Sequence, residues 1–258
     1  MILKKVTELR IFDSHFHIID REYPLVVNNG YLPPSFTVDN YIKGVENLNV
    51  VGGTIVSGSF QKFDQKYLID SLKVLGKDYF GVANIPFSIS DNEVEELDKS
   101  NVRAVRFNLK RGGSEGLKRM VALSNRLFDD YGWHTELYVD SKNLKDLKSK
   151  LVELPKFSID HLGLSKSGLE DVYYWANKGV KIKATGFGRL DFNPIPVMKK
   201  IFSINPLALM FGTDLPSTRA KIPFSIEHLQ DLERSFSAEA LHKILYSNAK
   251  EWYDRSKI

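Results

Sequence analysis

Phe12-Asp13-Ser14-His15-Phe16-His17 closes a short apolar lead-in, Leu9 to Phe12, that reads as a β-strand. Side chains on a strand alternate between faces, so His15 and His17 are expected to point the same way. Two neighbouring imidazoles at a strand end can hold one divalent metal through their neutral nitrogens. Equally, they can be two polar residues where a strand runs out. The pair alone does not separate these readings; the rest of the chain does.

After the pair comes a loop rich in breakers, with Tyr23-Pro24, Asn28-Asn29-Gly30 and Pro33-Pro34, as suits a binding loop. A helix is expected from Thr37 to Asn49, a strand over Val50 to Val56 and a helix over Asp64 to Leu75. The alternation continues with strands at Tyr79 to Pro86, Val102 to Leu109, His134 to Val139, Lys156 to Asp160, Val180 to Thr185 and Leu207 to Phe211. Helices are expected between them at Asp91 to Lys99, Ser114 to Tyr131, Leu144 to Leu154 and Leu169 to Asn177, and another after Pro196. Two more close the chain, from about Phe224 to Phe236 and from Ala238 to Tyr253. Eight strands each followed by a helix imply a parallel sheet, and in 258 residues without a linker they predict one (β/α)8 TIM-barrel domain over residues 1–258. A doubly wound open sheet is the competing fold. Against it, no Gly-x-Gly-x-x-Gly follows the first strand.

Composition narrows the chemistry. There is no cysteine, so disulfides, thiolate ligands and a cysteine nucleophile are excluded, and a metal would need His, Asp, Glu or modified Lys. The net charge of +4 comes from 36 basic and 32 acidic residues that are interspersed, which is no nucleic-acid footprint. Met1-Ile2-Leu3-Lys4-Lys5 runs almost at once into a strand without a signal peptide's apolar core. No apolar run approaches the roughly 20 residues of a membrane span. A cytoplasmic enzyme with a small-molecule partner, and neither nucleic acid nor membrane, is the expectation; no motif encodes an oligomeric state.

In a barrel the C-terminal strand ends share one rim, where active sites are built. Strand one ends at His15 and His17, strand four carries Arg106 and Asn108, and strand five carries His134, Glu136 and Tyr138. Strand six ends at Asp160-His161 and strand eight at Asp214, within Gly212-Thr213-Asp214-Leu215-Pro216. His161 alone could be a loop residue and Asp214 a turn former. Three histidines and an aspartate at the ends of strands one, six and eight make a set.

These motifs, Asp-x-His-x-His, Ile-Asp-His-x-Gly and Gly-x-Asp-x-Pro, resemble the amidohydrolase superfamily. Within it the chain is most similar to the amidohydrolase-related (amidohydrolase 2) group, particularly lactonases of the 2-pyrone-4,6-dicarboxylate and sugar-lactone kinds. The resemblance runs to Ser247-Asn248-Ala249, where relatives often show an Asn-Pro-Ala or Asn-Ala turn. It implies a hydrolase opening a lactone, with Asp214 as general base and His161 also catalytic. His15, His17, His161 and Asp214 would hold one divalent metal, zinc or manganese. The pyrone-dicarboxylate branch implies a metal-free route instead, with arginines and a tyrosine gripping an anionic substrate.

Arg106, Tyr138, Asn108 and Arg189 match that pattern as substrate-binding candidates. Arg106 can hold a carboxylate bidentately, and an unpaired charge in its apolar strand would be costly. Lys110 and Arg111 read either as anion contacts or as a solvated turn, and Glu136 as an added ligand or a hydrogen-bonding neighbour. Lys183 on strand seven is the one candidate for a bridging carbamate, which disfavours a binuclear site. A metal-dependent decarboxylase of the same superfamily and a non-catalytic anion-binding barrel are the alternatives; CO2 release and turnover assays separate them.

Overall fold

The computed structural model describes residues 8–255; the expectation for Met1 to Lys5 lies outside them. Eight parallel strands pair in sequence order: β1 Ile11–Phe16, β2 Val50–Val56, β3 Tyr79–Ala83, β4 Val102–Asn108, β5 His134–Tyr138, β6 Phe157–Ile159, β7 Lys181–Ala184 and β8 Leu209–Phe211. The seam between β8 and β1 is closed by the Asp214 N–H donating to the His15 carbonyl and the His17 N–H donating to the Leu215 carbonyl, both at 2.7 Å. This is the (β/α)8 barrel.

Helices α1 Val38–Gly44, α2 Lys66–Leu75, α3 Asp91–Lys99, α4 Leu117–Tyr131, α5 Leu144–Leu151, α6 Leu169–Asn177, α7 Pro194–Ile204 and α8 Ile226–Ser235 surround it. Local chemistry sets several starts. Ser90 and Glu93 form a capping box on α3, and Asn193 caps α7 just before Pro194 at its first turn. The predicted helix to Asn49 stops at Gly44, and the predicted last helix is α9 Ala238–His242, a wider π-helical turn at Lys243–Ser247, and α10 Asn248–Tyr253. The expected Asn-Ala turn therefore lies in helix: Asn248 starts α10 and donates to the carbonyls of Pro206 and Leu209.

Two apolar layers result. Ile11, Phe16, Ile55, Val105, Phe107, Leu137 and their like face the helices. Phe12, Val56, Phe80, Val82, Ala104 and Met210 point inward and, with Ala249 and Tyr253 of α10, form the barrel floor. Phe12 and His15 both face inward although strict alternation would oppose them. The β1–β2 register slips between Asp13 and Phe16, which pair with Gly53 and Ile55. That extra residue is a β-bulge, and it re-aims the imidazoles into the barrel.

Candidate active site

The seam builds the site. Asp13 accepts from the Thr213 N–H at 2.8 Å, the Thr213 hydroxyl at 2.7 Å and the Tyr41 hydroxyl at 3.1 Å, so it staples β1 to the end of β8. Asp214 is thereby set against both imidazoles, its Oδ1 lying 3.9 Å from His15 Nε2 and 3.8 Å from His17 Nε2. His161 reaches the same place from the end of β6, its ring centroid 4.9 Å from that of His15 and its Nδ1 2.7 Å from the Thr185 hydroxyl. Asp214 and His161 both have positive φ, 61° and 51°. Asp and His tolerate the left-handed region better than most residues, at a cost of about 1–3 kcal/mol.

Charges are balanced below the rim. Arg106 donates to Asp160 Oδ2 through Nε at 3.3 Å and Nη2 at 2.9 Å, and to the Ser57 carbonyl at 2.9 Å. Arg189 Nε donates to Asp214 Oδ2 at 2.7 Å. Lys183 Nζ donates to Glu136 Oε2 at 2.5 Å. Burial pushes the Asp214 carboxyl above its ordinary range, against the pull of Arg189. Burial also pulls the three imidazoles down, assisted at His15 by Lys183 and at His161 by Arg189; His17 falls to about 3, with help from Arg106. All three are therefore neutral imidazoles at neutral pH, the form that ligates metals or exchanges hydrogen bonds.

The donor set suits a divalent ion. His15, His17 and Asp214 offer ligand atoms within 4.8 Å of one another, and His15, Asp160 and His161 form a second such group. His15 Nε2, Asp160 Oδ1 and Asp214 Oδ1 are buried without hydrogen-bond partners. Neutral imidazole and carboxylate at this spacing fit zinc or a similar ion. Of the four expected ligands, His15 belongs to both groups, His17 and Asp214 to the first and His161 to the second.

The other expected residues are distributed as follows. Arg106, Asn108, Tyr138, His161 and Arg189 line one cleft of about 30 Å³ above the pair, with Arg111 and Arg219 at its mouth. The guanidinium of Arg106 is paired with Asp160 while it lines the cleft, so the charge in its apolar strand has a partner within the barrel. Asn108 Oδ1 accepts from the Arg111 N–H at 2.8 Å, and the Tyr138 hydroxyl accepts from Arg111 Nε at 3.3 Å. Lys110 pairs with Asp140 at 2.5 Å and stands apart from the cleft. His134 does not join the rim: it opens β5 at the opposite end, against Trp252 and Tyr253.

Sequence reasoning missed Asp160 as the partner of Arg106, Lys183 as a buried ammonium, and Arg219, whose guanidinium packs 4.4 Å from the Tyr31 ring centre and donates to the Asn28 carbonyl. Alternation along β6 and β7 placed Asp160 and Lys183 inside the barrel and was the available signal. Arg219, in a loop, had none.

A closed parallel barrel with histidines ending β1 and β6 and an aspartate ending β8 gathers these side chains at the C-terminal rim, where barrel active sites are built. The sequence model of the family described as Amidohydrolase matches residues 12–255. The chain belongs to that family and is by class a hydrolase of the amidohydrolase type. It is 26% identical over 156 residues to a 2-pyrone-4,6-dicarboxylate hydrolase of Comamonas testosteroni, a match covering 58% of this chain and 51%, about half, of that one. It is 24% identical over 266 residues to a 4-sulfomuconolactone hydrolase of Rhizobium radiobacter, covering 92% and 87% of the two. A structure described as a probable 2-pyrone-4,6-dicarboxylic acid hydrolase from Acinetobacter baumannii, with citric acid bound, has TM-score 0.80 at 22% identity over 94% of this chain and 98% of that one. An apo structure from Agrobacterium tumefaciens gives 0.84 at 17% identity, covering 96% and 97%. These two likenesses show the fold.

Proposed function

We propose that the protein is a lactonase that opens the ring of a small anionic lactone, with Asp214 as general base. The observation that carries this is Asp214 Oδ1: buried, without a hydrogen-bond partner, and within 3.9 Å of two neutral imidazoles at the foot of an arginine-lined cleft. In the reaction a water oxygen bonds to the ring carbonyl carbon, and Asp214 takes the water's proton. The ring C–O bond then breaks, and Asp214 returns the proton to the leaving oxygen. Arg189, on the other carboxylate oxygen, orients Asp214 for both transfers. His15, His17 and Asp214 are the residues that would hold a divalent ion, which when bound supplies Lewis-acid polarisation of the carbonyl and a more acidic water.

An anionic substrate is supported by Arg111 and Arg219 at the mouth, by the charged lactones in the relatives' names and by the citric acid in the Acinetobacter structure.

The test is hydrolysis of 2-pyrone-4,6-dicarboxylate and 4-sulfomuconolactone by the wild type and Asp214→Asn, before and after chelation, with metal content measured in parallel. Asp214→Asn, which keeps an oxygen to accept from Arg189, is expected to lose turnover by at least about a hundredfold while remaining folded. Full activity in that variant sinks the assignment of the base, and CO2 as product would move the protein to decarboxylation.

A further inference from the structure

Lys183 lies wholly buried inside the barrel, below the histidine pair. An ammonium has three donors and no acceptor. Its Nζ faces three acceptors: Glu136 Oε2 at 2.5 Å, the Ser14 carbonyl at 2.8 Å and His15 Nδ1 at 3.5 Å. If Nδ1 accepts this third bond through its lone pair, the proton of a neutral His15 lies on Nε2; the Asp160 carboxylate oxygen, 3.6 Å from Nδ1, is the competing partner. His17 is set the other way. Its Nδ1 lies 2.6 Å from the Val56 carbonyl, which can only accept, so the proton is on Nδ1 and the lone pair on Nε2. With Lys183 donating to His15, the two Nε2 atoms that look alike in sequence would have opposite polarity.

We propose that Lys183 is a positioning residue that holds His15 in its Nε2–H tautomer, so that the rim presents one donor and two acceptors to a water molecule beside Asp214. The acceptors are His17 Nε2 and Asp214 Oδ1, 3.8 Å apart, and the donor is His15 Nε2–H, 3.9 Å from the same carboxylate oxygen. A water donates two hydrogen bonds and accepts the third through one lone pair, so its other lone pair remains available for attack. The opposite tautomer, His15 Nδ1–H, would turn towards Asp160 Oδ1, 3.6 Å away and without a hydrogen-bond partner. A metal-ligating histidine is ordinarily backed by such a carboxylate. Lys183 opposes that arrangement, so it weakens metal binding at His15 while seating the water. The inference rests on the reading of Asp214 as base only for its consequence in turnover.

Long-range proton–nitrogen correlation spectra of the whole protein, labelled with 15N-histidine at neutral pH, read the tautomers directly; His15→Gln and His17→Gln assign the signals. The expected spectrum has His15 protonated on Nε2 and His17 on Nδ1. Removing Lys183 alone would strand Glu136, so the variant to compare is Lys183→Met with Glu136→Gln, which deletes the buried pair together. There His15 is expected to move to Nδ1–H, and zinc affinity, read by competition with a chromogenic chelator, to rise roughly ten- to a hundredfold. A wild-type spectrum with His15 protonated on Nδ1 overturns the proposal. So does a folded double variant that keeps Nε2–H with unchanged zinc affinity. Neither measurement reads turnover, so the result stands apart from that of the lactone assay.

Discussion

Two arginines five positions apart do different work. Arg106 is 5% exposed and its guanidinium is bound to Asp160 and a backbone carbonyl, whereas Arg111 stands at the cleft mouth on the Tyr138 hydroxyl. Arg106→Gln would leave Asp160 buried without its cation, which typically costs about 3–5 kcal/mol. A fall in melting temperature on the order of 10 °C is expected. Arg111→Gln should leave the melting temperature nearly unchanged and raise KM for an anionic lactone severalfold. Thermal melts and steady-state kinetics on both variants check this, and a stable Arg106→Gln with only a raised KM would reverse the assignment. Arg106 was legible in sequence as a charge needing a partner. That the partner would be Asp160, 54 positions on, was not, because only barrel closure brings them together.

The β1–β8 seam is the element on which the site depends. Gly212 follows β8 at the point where an added Cβ would sit 2.6 Å from the His15 backbone nitrogen and 2.8 Å from Thr185 Cγ2. A backbone atom cannot swing aside, so Gly212→Ala should destabilise by about 1–3 kcal/mol and reduce turnover by parting His15 from Asp214. Gly116→Ala, with nothing within 4 Å of its Cβ, is the control and should melt with the wild type. Most elements were readable: β2, α3 and α6 match their expected bounds because local apolar period, caps and breakers mark them. The β1 bulge was invisible. Ile11, Phe12 and Phe16 form an apolar pattern that fits either face, and only pairing with β2 shows the extra residue.

Across the molecule, the buried histidines set the response to acid. Burial lowers His134 to about 4 from an ordinary 6.5, partly opposed by its hydrogen bond to Glu136. The unfolded chain therefore binds a proton there that the folded chain does not. This contribution to stability is complete above about pH 6.5 and is lost as pH falls towards 4. His15, His17 and His161 act in the same sense; Asp13, raised to about 6 by burial, acts in the opposite one, favouring the folded state as pH falls. A single variant isolates one group. Between pH 7.5 and 5, His134→Gln should lose about 2 kcal/mol less stability than the wild type in urea titrations. Equal losses would mean that His134 titrates normally.

The sequence by itself determined the alternation of strands and helices, and with it the barrel, because both periods are local and repeat along the chain. It also identified His15, His17, His161 and Asp214 as rim residues, since a parallel barrel gathers every strand's C-terminal end on one side. Only the tertiary structure decided which charges are free and which are paired, and which groups each imidazole nitrogen faces. Those depend on contacts such as Lys183 Nζ with the Ser14 carbonyl, 169 positions apart, whose few ångströms across a closed barrel leave no trace in local pattern.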